Sequence, residues 1–376
     1  MKILVAPDSF KGSLSSVQVA EIIGSAIQAI DSTIEIKKIP IADGGEGTIE
    51  AIMSCVDLTI REINVLNPIG QLIPAKYAVL EETCKIAFIE MAQASGLGLI
   101  DCSDRNPLIT TSYGTGQLIK DALEQGCKKI VVGIGGSATN DGGAGALMAL
   151  GASLKNQQGE LLPLGGGALA ELATIDLTHL DERLQKTELV VACDVTSPLT
   201  GTRGASYVYG PQKGATSEMV YKLDRALENF AIVSKQCLGR DFSDYPGAGA
   251  AGGMGFGLMA FCGAKYVGGI DMILDMCKFD EHLEQADLVI TGEGKIDGQS
   301  LEGKVLYGIG RRAQKYSVPV IAIGGAITDD SENLIECGIT AMFSTENAPM
   351  SLEYAIENTE LLLVQTVKNI MRVFLM

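Results

Sequence analysis

A loop rich in glycine and hydroxyl residues, Gly135–Gly143, combines the residue types that bind phosphate groups and metal ions. It follows the β-branched run Lys129–Gly133, which predicts a buried strand, and it leads into an Ala/Leu/Met helix. A loop that opens a helix leaves unpaired backbone N–H groups, which suit an anion such as phosphate. Asn140 and Asp141 carry the oxygen ligands that Mg²⁺ prefers. The alternative is a helix entry capped by Thr139, Asn140 or Asp141, with the glycines supplying turns.

Other polar loops follow predicted strands in the same way. They are Asp8–Ser13, Asp43–Thr48, Ser137–Gly143 and Glu293–Lys304, and a fifth strand end, Asp194–Pro198, carries a carboxylate without the glycines. Open α/β sheets bind ligands at the carboxyl ends of their parallel strands. We therefore expect these loops to form the walls of one cleft between two domains, a common place for a small-molecule site.

The side chains of these loops suit phosphoryl transfer, which needs a metal across the phosphates, a cation near the moving group and a carboxylate near the attacking hydroxyl. The candidate carboxylates are Asp8, Asp43, Glu46, Asp141, Asp194, Glu293 and Asp297. The candidate cations are Lys11, Lys295 and Lys304. The alternative for any one carboxylate is a helix N-cap with only a local role. Since His179 and His282 are the only histidines, a carboxylate is the default base, and histidine triads and HExxH zinc sites are disfavoured.

Two segments come close to known nucleotide-binding motifs. The segment 298–305 matches the Walker A spacing except that Val305 replaces the hydroxyl residue that would reach Mg²⁺. We do not interpret it as a Walker loop, although Lys304 could still meet a phosphate. Gly247–Gly252 matches GxGxxG, but it follows Asp244-Tyr245-Pro246 and not a strand. We expect close helix packing there and not a dinucleotide site.

Composition predicts a cytoplasmic, soluble protein of 376 residues, long enough for two domains. Its formal net charge of -17 argues against nucleic acid and anionic membranes as partners, since both reward a basic surface. Nine cysteines without a CxxC pair are typical of reduced thiols. The N-terminal apolar run is too short for a signal peptide, and no run approaches the length of a membrane span.

The order of predicted elements indicates an α/β protein with two domains. Strands and helices alternate at both ends of the chain, and the last helix is expected from about Leu352 to Arg372. This pattern predicts a flavodoxin-like parallel sheet built from residues 1–63 and 286–376. Residues 64–285 do not fit that sheet, because Val65–Met91 is β-rich and further strands and helices follow. We interpret residues 64–285 as an inserted second α/β domain.

Taken together, these motifs resemble the bacterial glycerate kinase family, type I. The resemblance spans nearly the whole chain and rests on 7–13 (PDSFKGS), 42–48 (ADGGEGT), 90–92 (EMA), 106–107 (NP), 113–116 (YGTG), 135–143, 194–199 and 291–300. Ser54–Asp57 departs from the glycine-rich turn expected before the next strand, and this puts only the local turn geometry in doubt.

The resemblance implies ATP-dependent, Mg²⁺-assisted phosphorylation of D-glycerate, with 2-phosphoglycerate favoured and the 3-phosphate left open. The hypothetical catalytic residues are Asp194, Asp43, Lys11 and Lys295, with Asp194 or Asp43 orienting the hydroxyl. ATP would contact Gly135, Gly136, Ser137, Thr139, Asn140, Gly142, Gly143 and Lys304. The metal would be held by Asp141, Glu293 and Asp297, and the substrate by Asp8, Ser9 and Glu46. The alternatives are an NAD(P)-dependent oxidoreductase using Gly247–Gly252, another hydroxy-acid kinase, or a non-catalytic sensor; homo-oligomerisation is left open.

Overall fold

The computed structural model describes residues 1–42, 48–82, 84–301 and 305–376. The chain divides into two compact units. The first unit contains Met1–Asp57 and Gly268–Met376, and the second unit contains Leu58–Val267. None of the helices in these described ranges is both long and apolar enough to cross a membrane.

The described residues form strands and α-helices, which are numbered in chain order. The strands are β1 (Lys2–Val5), β2 (Glu35–Lys38), β3 (Thr59–Leu66), β4 (Leu72–Leu80), β5 (Ile86–Glu90), β6 (Lys129–Gly133), β7 (Ser153–Lys155), β8 (Thr174–Asp176), β9 (Glu188–Ala192), β10 (Lys265–Val267), β11 (Leu288–Ile296), β12 (Val320–Ile327) and β13 (Ala341–Ser344). The helices are α1 (Ser16–Gln28), α2 (Thr48–Met53), α3 (Ala92–Ser95), α4 (Tyr113–Glu124), α5 (Ala144–Ala149), α6 (Ala205–Tyr209), α7 (Ser217–Leu238), α8 (Ala250–Cys262), α9 (Gly269–Met276), α10 (Phe279–Leu283), α11 (Val305–Tyr316), α12 (Leu352–Glu357) and α13 (Thr359–Phe374).

The first unit contains a five-stranded sheet in the order β13-β12-β11-β1-β2, and every neighbouring pair is parallel. Counted along this unit, the order is 2-1-3-4-5, the flavodoxin-like arrangement. The predicted fold class is therefore confirmed. The strand order reverses between β1 and β11, so the loops after these two strands flank the crevice where such sheets bind ligands.

Helices α1 and α13 cover the sheet of the first unit through a shared apolar core. A capping box starts α1, because the Ser15 hydroxyl accepts from the Gln18 amide while the Gln18 side chain accepts from the Ser15 amide. Ile23 and Ile27 of α1 lie in the same buried cluster as Leu363 and Val367 of α13 and as the β1 side chains. This packing holds the sheet in place, and with it the residues that follow β1 and β11.

The second unit is built on a six-stranded sheet in the order β10-β9-β6-β5-β4-β3. Strands β10, β9, β6 and β5 are parallel, whereas β5, β4 and β3 are antiparallel. The apolar residues of β6 and β9, such as Val132 and Val191, are fully buried in its core. The loops that follow these two strands contain Gly135–Gly143 and Asp194, so the fold brings both to one edge of this sheet.

The boundaries between the two units fall after Asp57 and after Val267. The sequence predicted boundaries at 63/64 and 285/286. Strand β3 pairs with β4 along its whole length and therefore belongs entirely to the second unit. Helices α9 and α10 belong to the first unit. Ile270 of α9 lies against Gly308 of α11, where an added Cβ would be 2.5 Å from the isoleucine side chain. This helix–helix contact leaves no signal in the local sequence.

The Gly247–Gly252 segment packs closely against neighbouring loops, as expected. A Cβ at Gly247 would lie 2.1 Å from the Tyr266 ring, and one at Gly249 would lie 2.1 Å from the Pro198 carbonyl oxygen. A Cβ at Gly252 would lie 2.0 Å from the Thr139 carbonyl oxygen. The expected close packing of this segment is thus observed.

If close packing as well as the left-handed backbone requires glycine at position 252, alanine substitutions at Gly252 and Gly263 should have unequal effects. Gly252 and Gly263 both have a left-handed φ, +71° and +65°, but nothing lies within 4 Å of a Cβ placed on Gly263. We expect Gly263→Ala to lower the free energy of unfolding by about 1–2 kcal/mol through backbone strain. Gly252→Ala should cost clearly more, because its methyl group also overlaps the Thr139 carbonyl. Urea denaturation measures both, and equal losses would contradict the packing argument.

Candidate active site

The loop after β1 and the carboxyl-terminal end of β11 with Asp297 after it line a cavity of about 430 Å³ in the first unit. Six of the predicted site residues line it together: Asp8, Ser9, Lys11, Glu293, Lys295 and Asp297. The cavity lies where the strand order of the sheet reverses, which is the expected ligand position in this fold. Sequence positions that are almost 300 residues apart thus contribute to one site.

Backbone hydrogen bonds continue the pairing with β11 into the loop that follows β1. The Ala6 amide donates to the Ile290 carbonyl and the Asp8 amide donates to the Gly292 carbonyl, both at 2.8 Å. Glycine at 294 lets β11 approach the backbone of the loop after β1 closely, because an added Cβ there would lie 3.2 Å from the Lys11 backbone nitrogen. The ladder between β1 and β11 therefore extends directly into the cavity wall.

The cavity wall contains carboxylates of low exposure and more exposed lysines. The Asp8 side chain accepts a 2.6 Å hydrogen bond from the Ser9 amide, and Asp8 is 9% exposed. Glu293 is 6% exposed and accepts a hydrogen bond from the Ser300 hydroxyl. A carboxylate has two oxygens and several acceptor positions, so the Ser300 hydroxyl occupies only part of the hydrogen-bonding capacity of Glu293.

The lysines supply positive charge at the mouth of this acidic cavity. The Lys295 ammonium lies 3.0 Å from the Asp297 carboxylate, and its side chain is 60% exposed. Lys11 is exposed and lines the same cavity. Exposed ion pairs of this kind add little stability, so these lysines can bind an anionic group at small cost.

The described residues do not form a complete protein cage for a metal ion. Within the described ranges, no group of three or more His, Cys, Asp or Glu side chains is close enough to hold one. The donors present at the cavity are carboxylate oxygens, which is the chemistry of a Mg²⁺ site completed by phosphates and water. Asp43 and Glu46 lie outside the described residues, as does Lys304.

Asp141 caps two helices in the second unit and is 1% exposed. Its Oδ2 accepts from the Ser112 amide at 2.8 Å, from the Ser112 hydroxyl at 2.9 Å and from the Gly145 amide at 3.3 Å. Its Oδ1 accepts from the Gly143 amide at 3.2 Å. Burial raises the pKa of Asp141, and these hydrogen bonds oppose the shift. These contacts match the capping role that the sequence left open, and they do not support the predicted metal-binding role of Asp141.

Most of the Gly135–Gly143 loop is packed inside the second unit. Gly135 is half-buried and Gly136 is exposed, whereas Ser137, Thr139, Asn140, Gly142 and Gly143 are buried. The Gly142 amide donates to the Gly252 carbonyl at 2.9 Å, and the Asn140 side chain donates to the Ser206 hydroxyl at 2.9 Å. Only the start of the loop is therefore open to a ligand, and its predicted contact with ATP stays a prediction.

Lys213 is a buried cation beneath this loop that no sequence motif singles out. It is 2% exposed, and its ammonium group donates to the Ser137 hydroxyl and to the Thr139 carbonyl, both at 2.7 Å. Burial lowers the pKa of Lys213 to about 7, against the opposing effect of Asp141. Its sequence context, a Pro-Gly turn, normally predicts an exposed lysine, so only the packing identifies it.

Asp194 follows β9 in the second unit, and its Oδ2 atom is buried. Further along the same loop, Thr196 and Ser197 line a second cavity of about 440 Å³ together with Arg203 and Asp244. Arg203 is exposed and was not among the predicted cations. The lining of this cavity therefore combines two hydroxyls, the Asp244 carboxylate and the Arg203 guanidinium group, which can bind an anionic group.

Comparison with known proteins identifies the family. The family model described as the glycerate kinase family matches residues 3–375. This chain belongs to the glycerate kinase family. The predicted family is thereby confirmed.

The relatives of this glycerate kinase family member match nearly its whole length. Glycerate 2-kinase of Escherichia coli strain K12 is 48% identical over 355 residues, which is 94% of this chain and 93% of the relative. A glycerate kinase of Halalkalibacterium halodurans is 46% identical over 368 residues, or 98% of this chain and 97% of the relative. A crystal structure described provisionally as glycerate kinase 2 from Salmonella typhimurium LT2 superposes with a TM-score of 0.86 at 46% identity, covering 100% and 98% of the two chains.

In this member of the glycerate kinase family, the lowered pKa of the buried Lys213 should make the stability of the fold depend on pH. Its pKa is about 7 in the folded protein, against about 10.4 for an unfolded lysine, so folding releases a proton between these values. The wild-type free energy of unfolding should therefore rise with pH from 7 to 10 relative to that of Lys213→Met. Urea denaturation of both proteins across this range measures the difference.

The matched control for this experiment is Lys222→Met, since the Lys222 side chain is 58% exposed and pairs with Glu218 at the surface. Its stability should run parallel to that of the wild type over the same pH range. Parallel profiles for Lys213→Met as well would show that the buried ammonium does not lose its proton on folding.

Proposed function

We propose that this chain transfers the γ-phosphoryl group of ATP to D-glycerate and forms 2-phosphoglycerate. The observation that carries the proposal is the cavity at the reversal point of the first sheet, which gathers carboxylates and lysines from both ends of the chain. The family and the 48% identity to a glycerate 2-kinase support the acceptor and the product. Phosphorylation of the 3-hydroxyl, or of another small hydroxy acid, is the alternative.

The residues of this cavity suit the tasks of phosphoryl transfer. Lys11 and Lys295 would neutralise phosphate charge, and Asp8 and Ser9 would contact the substrate. Glu293 and Asp297 would hold Mg²⁺. One or two carboxylates are enough for this ion, because phosphate oxygens and water complete its shell. When bound, Mg²⁺ neutralises negative charge on the phosphates.

Asp194, or Asp43 in the segment outside the described residues, remains the proposed residue that orients the attacking hydroxyl, and this carboxylate would accept its proton. Asp194 follows a buried strand. Thr196, Ser197 and Arg203, which come after it in the chain, line the second cavity. Arg203 could bind the carboxylate of a hydroxy acid through two parallel hydrogen bonds. The predicted location of the reaction in a cleft between the two domains stays a prediction, as do the cytoplasmic location and the oligomeric state.

A product analysis tests the proposed reaction. We expect ADP release from ATP and Mg²⁺ with D-glycerate as the acceptor, and weaker release with L-glycerate and four-carbon hydroxy acids. Phosphorus NMR of the product should show the phosphate on the 2-hydroxyl. A 3-phosphate product would overturn the regiochemistry. Binding of ATP or glycerate without ADP release would favour a sensor, and a change in nicotinamide absorbance with hydroxy acids would favour an oxidoreductase.

The role of Asp194 can be separated from its effect on folding. Asp194→Asn keeps the side-chain volume and removes the base, so we expect kcat to fall by about 100-fold or more while Tm changes little. Asp176→Asn is the matched control in the same unit, because the Asp176 carboxylate is exposed and accepts hydrogen bonds from Thr178 in a surface turn. Unchanged turnover in Asp194→Asn would remove this residue from the mechanism.

A further inference from the structure

The cavity of the first unit has an apolar wall that the proposed chemistry does not use. Leu352, Ala355 and Ile356 of helix α12 line it along with the charged loops. No residue of α12 is buried, and Leu352 and Ile356 are 69% and 37% exposed. Exposed apolar side chains that line a concave site are a mark of ligand binding, whereas single surface leucines need no explanation.

Helix α12 is fixed beside the loop that carries Lys11. The Ser13 hydroxyl lies 3.1 Å from the Ile356 carbonyl and 2.7 Å from the Thr359 hydroxyl. The Thr359 hydroxyl donates in turn to the Ala355 carbonyl at 2.8 Å. These contacts join the apolar wall to the β1 loop, so the wall keeps its place beside a positively charged lysine.

The apolar pattern of the sequence predicts a single helix from about Leu352 to Arg372, but the structure contains two. The break falls at Asn358, whose φ of −109° and ψ of 15° are outside the helical range. The Asn358 side-chain amide donates to the Tyr354 carbonyl at 2.9 Å and satisfies the end of α12. Because of this break, α12 can leave the direction of α13 and present its apolar side chains to the cavity.

The two substrates of the proposed reaction differ in what they could place against this wall. Glycerate is a three-carbon acid whose carbons all carry oxygen, so it gains little from apolar contact. A nucleoside triphosphate has a flat, weakly polar base at one end and phosphates at the other. The cavity, at about 430 Å³, falls within the range of about 300–1,000 Å³ that is usual for larger organic ligands. Its lining also matches the nucleotide, because it has an apolar part and a cationic part.

We propose that Leu352, Ala355 and Ile356 form the subsite for the nucleoside part of the phosphoryl donor. The base packs on these side chains, and the phosphates extend toward Lys11 and Lys295. Thr345 and Glu346 also line the cavity and supply polar groups for the ribose or the base edge. This inference rests on the proposed function, and it assigns the nucleoside end of the donor to the apolar wall of the cavity in the first unit.

Two variants of α12 test the subsite. Leu352→Ser combined with Ile356→Ser removes the apolar surface, and Ala355→Trp fills the cavity. Since no α12 residue is buried, both proteins should fold with nearly unchanged Tm. Isothermal titration with a non-hydrolysable ATP analogue and Mg²⁺ should show a Kd raised at least tenfold in each. The KM for D-glycerate should stay within about twofold of the wild-type value.

The matched control is Leu361→Ser combined with Val373→Ser. These side chains of α13 are 53% and 74% exposed and are not among the residues that line the cavity. The analogue should bind this control with the wild-type Kd. A raised KM for glycerate with unchanged analogue binding in the α12 variants would assign the wall to the acceptor, and unchanged values for both would remove it as a ligand site. Either result overturns the proposal.

The binding measurement separates this inference from the proposed function. It uses no acceptor, so it does not depend on which hydroxy acid is phosphorylated. If the wild type binds the analogue through α12 but releases no ADP with D-glycerate, the subsite stands and the glycerate kinase reaction fails. If the wild type does not bind the analogue, the subsite is overturned, and the ADP assay still judges the reaction independently.

Discussion

The parallel pairing of β1 with β11 is the interaction on which the candidate active site depends. The two strands come from opposite ends of the chain, and their ladder continues through the Asp8 amide and the Gly292 carbonyl. Because the strand order reverses between them, their following loops diverge and leave a crevice. Carboxylates and lysines from the loop after β1 and from the carboxyl-terminal end of β11 meet there without any local sequence motif that joins them. The last helices of the same unit then add the apolar wall beside Lys11.

In the second unit, a loop of similar sequence is held in place by buried hydrogen bonds. Asp141 joins the starts of α4 and α5, and Lys213 lies beneath the Ser137 and Thr139 positions. A buried carboxylate and a buried ammonium would each be costly alone, and hydrogen bonds to several fixed partners offset that cost. The loop is thereby held rigid, which is the property that a ligand-binding loop requires. Its exposed start at Gly136 is the part that remains available for contact.

The contrast between Asp8 and Asp141 shows why residue type and spacing were not sufficient to assign roles. Both carboxylates follow a buried strand and precede a helix, so the sequence allowed a ligand-binding role or a capping role for each. Asp141 has helix starts within reach of both oxygens, whereas Asp8 lines a cavity. The choice depends on which backbone donors the neighbouring elements bring to the loop, and those elements lie far away in the sequence. For Gly247–Gly252 the sequence alone already favoured packing over a dinucleotide site, because the segment follows Asp244-Tyr245-Pro246 and not a strand.

The sequence by itself determined the family, the α/β class, the flavodoxin-like sheet of the first unit and six residues of the cavity in that unit. Alternating apolar runs and polar loops are local patterns, and the rule that parallel strands place their ends at one edge extends them to a site. Only the tertiary structure decided the unit boundaries, the burial of Lys213 and the break at Asn358 that makes α12 part of the cavity. These features depend on contacts between residues that are distant in the chain. The energy of such contacts is set by packing and burial, which no local pattern of residues records.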